Sequence, residues 1–194
     1  MSEYHGFSAP KRSLGQNFLR DANIARNIVA ALDIQPGDKV LEIGPGRGAL
    51  TKHIIERQPG RFLVLEKDDD LADSLSLWPN APEIWRGDAL SYPWEDLAAD
   101  GPWKIVGNLP YNIASPLMWE IVCRASFVHA VFMVQLEVAQ RVKATHGGKT
   151  YDILRSSSAH LLKTQVMYVF PDSDHFAIIP LRSISAVEHL QQAA

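Results

Sequence analysis

Cysteine is almost absent: Cys123 stands alone in 194 residues, which excludes a disulfide framework and a thiolate metal cluster within the chain. No apolar run approaches the roughly 20 residues that span a bilayer. Residues 1–10 include Glu3 and lack the apolar core of a secretory signal. These absences lead to the expectation of a cytoplasmic protein without membrane association. Internal repeats and low-complexity tracts are missing too, which excludes solenoids and arrays. Neither sign of charge dominates: 19 Lys and Arg oppose 22 Asp and Glu, a net charge of −3 at pH 7. On the sum alone that argues against a nucleic-acid partner. What is present is 46% hydrophobic and 21% charged residues, an ordinary globular balance at one domain's length.

The charges are unevenly placed. Lys11, Arg12, Arg20 and Arg26 meet only Glu3 and Asp21, and Arg141, Lys143, Lys149, Arg155 and Lys163 meet only Asp152. Asp68, Asp69, Asp70, Asp73, Glu83, Asp88, Glu95, Asp96 and Asp100 crowd the middle. Either these are solvated faces, or two basic edges flank an acidic half that holds a cofactor.

Asp21 is placed to cap a helix running to about residue 32, with Ile24, Ile28 and Leu32 on one face. A turn at Pro36 and Gly37 leads to a strand at 39–43, a glycine loop at 44–48 and a helix at 49–57. The alternation continues with strand 61–65, helix 68–77 and strands 83–86 and 103–106. Ser115 and Pro116 read as the cap and first residue of a helix ending near 123, before strand 129–134 and helix 137–143. Alternating strands and helices at these spacings predict an α/β fold, a parallel sheet covered on both faces. Residues 166–170 and 184–187 are expected to close it as an antiparallel hairpin.

The loop of residues 42–48, Glu-Ile-Gly-Pro-Gly-Arg-Gly, lies between a strand and a helix. Gly44, Gly46 and Gly48 do not fit the dinucleotide spacing, and the phosphate loop's Lys-Ser/Thr is missing. The tighter spacing suits a nucleoside joined to an amino acid, against the plainer reading of a tight turn. Glu66, at the end of the second strand, is placed to accept hydrogen bonds from ribose hydroxyls. That device serves NAD and S-adenosylmethionine alike, and a surface glutamate is the plain alternative. Asp88, after the third strand, is placed to accept from an adenine amino group. All three segments fall on the carboxyl edge of the sheet, where open α/β folds bind ligands.

Asn108, Leu109, Pro110 and Tyr111 follow the fourth strand. This tetrapeptide type marks methyltransferases acting on exocyclic or amide nitrogens. An adenine amino nitrogen is conjugated with its ring and is a poor nucleophile. The Asn108 amide oxygen and a backbone carbonyl directed by proline can accept its two hydrogens, and Tyr111 can stack on the base. Positioning and electrostatics then supply most of the acceleration, with no metal and no covalent enzyme intermediate. Strand followed by β-turn is the plain alternative for the same residues.

With these motifs in order, the chain resembles the ribosomal RNA adenine dimethyltransferases, which modify adenines near the 3′ end of small-subunit rRNA. Residues 11–19 (Lys-Arg-Ser-Leu-Gly-Gln-Asn-Phe-Leu) are similar to the family's N-terminal motif. Residues 42–48, 66–67, 87–90, 108–113, 131–135 and 137–141 follow the family's order. The resemblance implies a doubly wound, Rossmann-like class I methyltransferase with a mostly parallel seven-stranded sheet and an antiparallel edge. It implies one domain over 1–194 with an N-terminal arm at 1–20, the family's C-terminal helical domain being absent. It further implies S-adenosylmethionine as cofactor, S-adenosylhomocysteine as product, and dimethylation of N6 of two adjacent adenines in 16S rRNA. The small ribosomal subunit would be the partner, ribosome biogenesis the setting, and the chain a monomer. Carried over, Asn17 and Leu19 would contact the methionine part and Gly44 would lie beside it, with Gln16 and Gly46 as further cofactor-binding residues. Glu66 would hold the ribose, Asp88 would bind the adenine and Asn108 would stand at the junction of cofactor and target amine, with Lys67 and Ala89 as further cofactor-binding residues.

Three departures from the family stand out. Leu136 replaces an expected lysine; Asp152 replaces a glycine, with Arg155, Ser156, Ser157 and Ser158 breaking the apolar stretch that should follow; and the family's proline-rich segment with its base-sandwiching aromatic is blurred over residues 176–185. Phe176 is the candidate for a second base-stacking ring. The competing readings are a large-subunit rRNA adenine methyltransferase, a non-catalytic ribosome-assembly RNA-binding protein and, more distantly, an NAD oxidoreductase.

Overall fold

Successive side chains of the central strands go to opposite faces, and both faces are apolar. The computed structural model describes residues 18–143, 161–164, 168–169 and 176–184, with side chains from 18 to 140. Strands β1 (Lys39–Ile43), β2 (Arg61–Glu66), β3 (Glu83–Arg86), β4 (Trp103–Asn108) and β5 (Phe127–Gln135) run parallel. Leu41, Leu63, Leu65, Ile105 and Phe132 pack on one face and Val40, Val64, Val106, Val131 and Met133 on the other. The first face is covered by α4 (Trp94–Ala99), α5 (Tyr111–Arg124) and α6 (Leu136–Lys143); the second by α1 (Ala22–Ala31) and α2 (Thr51–Ile55). Helix α3 (Asp69–Ser76) buries Leu71, Ala72 and Leu75. The expected doubly wound class is what these residues form.

Asp21 caps α1, its Oδ1 accepting from the amides of Asn23 at 2.7 Å and Ile24 at 3.2 Å, a device worth about 1 kcal/mol. Beyond β5 come β6 (Leu161–Thr164), β7 (Tyr168–Val169) and β8 (Phe176–Ile184), all antiparallel to their partners. The sheet therefore has eight strands where seven were expected. The difference is a split: β6 and β7 pair with successive stretches of β8, so eight strands fill seven positions. The closing hairpin also differs, since its second strand spans Phe176–Ile184 rather than 184–187.

Helix α5 begins at Tyr111, not at Pro116, which lies inside it. The carbonyl of Pro110 accepts from the amides of Ile113 and Ala114 at 3.1 and 3.0 Å, so the helix starts directly after the tetrapeptide. Pro116 lacks the N–H that would bond the Asn112 carbonyl. Both residues are exposed, so water can take that bond.

The strand order is β3-β2-β1-β4-β5-β8-β6. The chain moves outward from β1 through β2 to β3, then returns to place β4 on the other flank of β1. At such a reversal the connections leave in opposite directions, and a crevice opens beyond the carboxyl ends of β1 and β4. Among the described residues no helix is long and apolar enough to cross a membrane.

Candidate functional site

A cleft occupies that crevice. Its volume is about 170 Å³, where a single water needs roughly 10–15 Å³, so it accommodates an organic ligand. The carboxyl ends of four strands, β1 to β4, build its walls.

The loop after β1 supplies Gly44, Pro45, Gly46 and Arg47. Gly44 and Gly46 have φ of +62° and +57°, the left-handed region that disfavours side chains. A Cβ built on Gly44 would meet nothing within 4 Å, so its backbone is bare toward the cleft. The amide of Gly46 donates to Glu66 Oε2 at 3.1 Å. The other oxygen of Glu66 accepts from the amide of Asp68 at 2.9 Å. Glu66, the last residue of β2, thus ties the loop to the head of α3. Burial raises its pKa, and the backbone donors at Asp68 and Gly46 oppose the rise.

After β3, Asp88 caps the short 3-10 turn Ala89–Ser91 through Leu90 N at 3.0 Å. Its second oxygen meets Lys67 Nζ at 2.9 Å. The Lys67 hydrogen bond, then the Leu90 amide, hold its carboxyl below the usual range. Lys67 and Asp88 therefore act on the cleft as a pair, whereas the sequence reading treated them as separate contacts.

Asn108 ends β4 and lines the cleft, as do Pro110, Asn112 and Ile113. The tetrapeptide divides its labour. Leu109 turns into the core and its amide bonds the Met133 carbonyl at 2.9 Å. Tyr111, at the first position of α5, is 51% exposed. The structure brings Leu19, Gly44, Gly46, Glu66, Lys67, Asp88, Ala89, Asn108 and Pro110 to one cavity. Gln16 and Asn17 lie outside the described residues, as do Asp152, Arg155 and Ser156 to Ser158. Phe176 is described only as the start of β8.

Sequence reasoning gave no role to Glu42, Phe18 or Arg47. Glu42 lines the cleft and is 1% exposed. A carboxylate in the apolar stretch of β1 was a signal available in the sequence. The Arg47 guanidinium stacks on the Phe18 ring, 4.7 Å from its centroid, which fastens the chain before α1 to the glycine loop. Nothing local announces that contact, 29 positions apart in the numbering.

Comparison with known proteins yields three findings. A family model described as ribosomal RNA adenine dimethylase matches residues 8–172. "Ribosomal RNA small subunit methyltransferase A" of Nitratidesulfovibrio vulgaris strain DP4 is 50% identical over 166 residues, covering 83% of this chain. The chain spans 62% of the length of that relative. Among solved structures, a dimethyladenosine transferase from Plasmodium falciparum superposes with a TM-score of 0.69 at 25% identity, over 90% of this chain and 66% of that one. The 23S rRNA methyltransferase ErmE gives 0.68 at 24% identity, over 87% and 70%.

Proposed function

Since the chain belongs to the ribosomal RNA adenine dimethylase family, we propose that it transfers methyl groups from S-adenosylmethionine to N6 of two adjacent adenines near the 3′ end of small-subunit (16S) rRNA. The small ribosomal subunit is then its partner and the cytoplasm its place. The observation that carries this reading is Asn108, set at the β1–β4 reversal in the same cavity as Gly44, Glu66 and Asp88. The 50% identical relative named for the small subunit favours that target. The two structural neighbours, one named for 23S rRNA, superpose equally well and do not choose between targets.

The residues present fit the cofactor. The bare backbone at Gly44 leaves room for the amino-acid part. Glu66 would be the acceptor for the ribose hydroxyls, and its bonds to Gly46 and Asp68 hold it in place. Asp88, steadied by Lys67, would accept from the adenine amine. When bound, the cofactor supplies an electrophilic methyl group on a positively charged sulfur.

The chain's own work is to present the target nitrogen. The Asn108 side-chain oxygen and the Pro110 region accept the hydrogens of the adenine amine, which turns its lone pair toward the cleft. Tyr111, exposed at the head of α5, offers its ring to the base. Both the start of α5 and the Leu109–Met133 bond anchor this loop, so the acceptors are in place before substrate arrives, the condition under which electrostatic stabilisation is largest.

Single-turnover methylation of a helix-loop RNA carrying the 16S 3′-end sequence tests the reading. Asn108→Ala should fold and bind cofactor yet lose ~10²–10³ in rate, the typical cost of one aimed acceptor. Transfer at the parent rate would remove Asn108 from the chemistry. A parent that binds cofactor and subunits but transfers nothing would instead favour the non-catalytic assembly protein.

A further inference from the structure

Glu42 is a buried carboxyl of the cavity wall that the proposed reaction does not use. It is the penultimate residue of β1, between Leu41 and Ile43, and it reaches α2 through Thr51. Its Oε2 accepts from Thr51 Oγ1 at 2.7 Å. Among the described residues the groups that act on it are Thr51 and Glu66, and no lysine or arginine is one of them. The charged groups around it are turned elsewhere. Arg47, in the loop, stacks on Phe18 at 4.7 Å. Lys67, beyond β2, meets Asp88 at 2.9 Å. His53, two residues past Thr51 on α2, meets Glu56 at 3.1 Å. At the end of β2, Glu66 shares the same cavity and carries like charge, and Asp68 at the head of α3 is also buried.

A carboxyl taken out of water without a cation holds its proton. Burial pushes Glu42 up to about 8, the Thr51 hydroxyl opposes the rise and the charge of Glu66 adds to it. A cationic group placed a few ångströms away reverses that balance, because it favours the charged form.

We propose that Glu42 carries a proton in the ligand-free protein and releases it to solvent when a ligand bearing a cationic amine occupies the cavity, so that ligand uptake is proton-coupled. The proposal rests on the cofactor reading above. The carboxyl O–H bond breaks, the proton passes to the buffer, and the carboxylate left behind stays bonded to Thr51 and faces the ammonium. An adenosine lacking the amino-acid part brings no cation and leaves the proton where it is. Glu42 would thereby favour amino-acid-bearing nucleosides over plain ones.

Calorimetry at pH 6.5, in two buffers of different ionisation enthalpy, counts the protons. The ligand is S-adenosylhomocysteine, whose amine (α-amino groups titrate near 7.7–8.0) is already charged at that pH. The parent should release close to one proton per site, Glu42→Gln close to none, and the parent with adenosine close to none. At pH 8 Thr51→Val should release more than the parent, because the hydroxyl no longer favours the charged form. Binding by the parent without proton release, or equal release by Glu42→Gln, overturns the proposal. If Glu42→Gln fails to fold, Thr51→Val and adenosine still decide it. No binding of S-adenosylhomocysteine by the parent overturns the cofactor reading and the proposal with it.

Discussion

Gly48→Ala would strike the glycine loop in two separable ways. Gly48 has φ of +77°, and a Cβ there would lie 2.3 Å from Cη2 of Trp78, a ring supplied by the chain just after α3. The left-handed backbone costs an L-residue ~1–2 kcal/mol. The overlap with the indole adds ~1–3 kcal/mol for overpacking, so the substitution should destabilise the protein by about 2–5 kcal/mol in all, less a small gain from a stiffer unfolded chain. The two contributions separate in a double-mutant cycle. In a Trp78→Ala background the ring is gone and only the backbone cost remains, so the penalty should fall to ~1–2 kcal/mol and the coupling should reach at least ~1 kcal/mol. Urea denaturation measures this as a shift in midpoint at constant slope. Equal penalties in both backgrounds would show that Trp78 moves aside freely and that it does not brace the loop. Cofactor affinity should follow the same pattern, since the Gly46 amide that holds Glu66 belongs to the same loop.

Glu66→Ala removes charge-assisted hydrogen bonds worth ~1.5–3 kcal/mol, so affinity for S-adenosylhomocysteine should fall about tenfold or more; unchanged affinity in calorimetry would take Glu66 out of the site. Glu42→Gln should flatten the pH dependence of stability. With a folded pKa of about 8 against an ordinary 4.5, the parent's contribution is full below pH 4.5 and is lost as pH rises toward 8, by up to ~1.4 kcal/mol per pH unit. Denaturation midpoints of the two proteins that run parallel from pH 5 to 8 would refute the buried-acid description. Tyr111→Phe should slow methyl transfer less than Tyr111→Ala, because stacking needs the ring and not the hydroxyl; equal losses would assign the role to the hydroxyl.

Much of the site was readable because its signals are local. Glycines at 44, 46 and 48 fill the loop after β1, Glu66 ends β2, Asp88 follows β3 by two residues, and Asn108 ends β4 with Pro110 just beyond it. A parallel sheet then brings all such positions to one edge. Where reading failed, the cause was a competing local signal or a distant contact. Ser115 with Pro116 resembles a helix start, yet the Pro110 carbonyl had already begun the turn. Strand β8 was mostly missed because it contains Pro180, and its place is set by pairing with β5, whose residues lie some 50 positions earlier.

The sequence by itself determined the fold class, the order of the motifs and the residue types at the carboxyl edge, because strand period, glycine conformation and helix caps depend on near neighbours. Only the tertiary structure decided that Lys67 steadies Asp88, that Arg47 grips Phe18, and that Leu109 serves the core while Asn108 and Pro110 face the cleft. The state of Glu42 belongs to the same class. In sequence it is an acid beside a glycine loop; in the fold it is shut from water and set near a second carboxylate 24 positions away. Whether a carboxyl keeps its proton depends on the solvent it loses and the charges it meets, and both are properties of the assembled sheet and helices rather than of the strand that carries it.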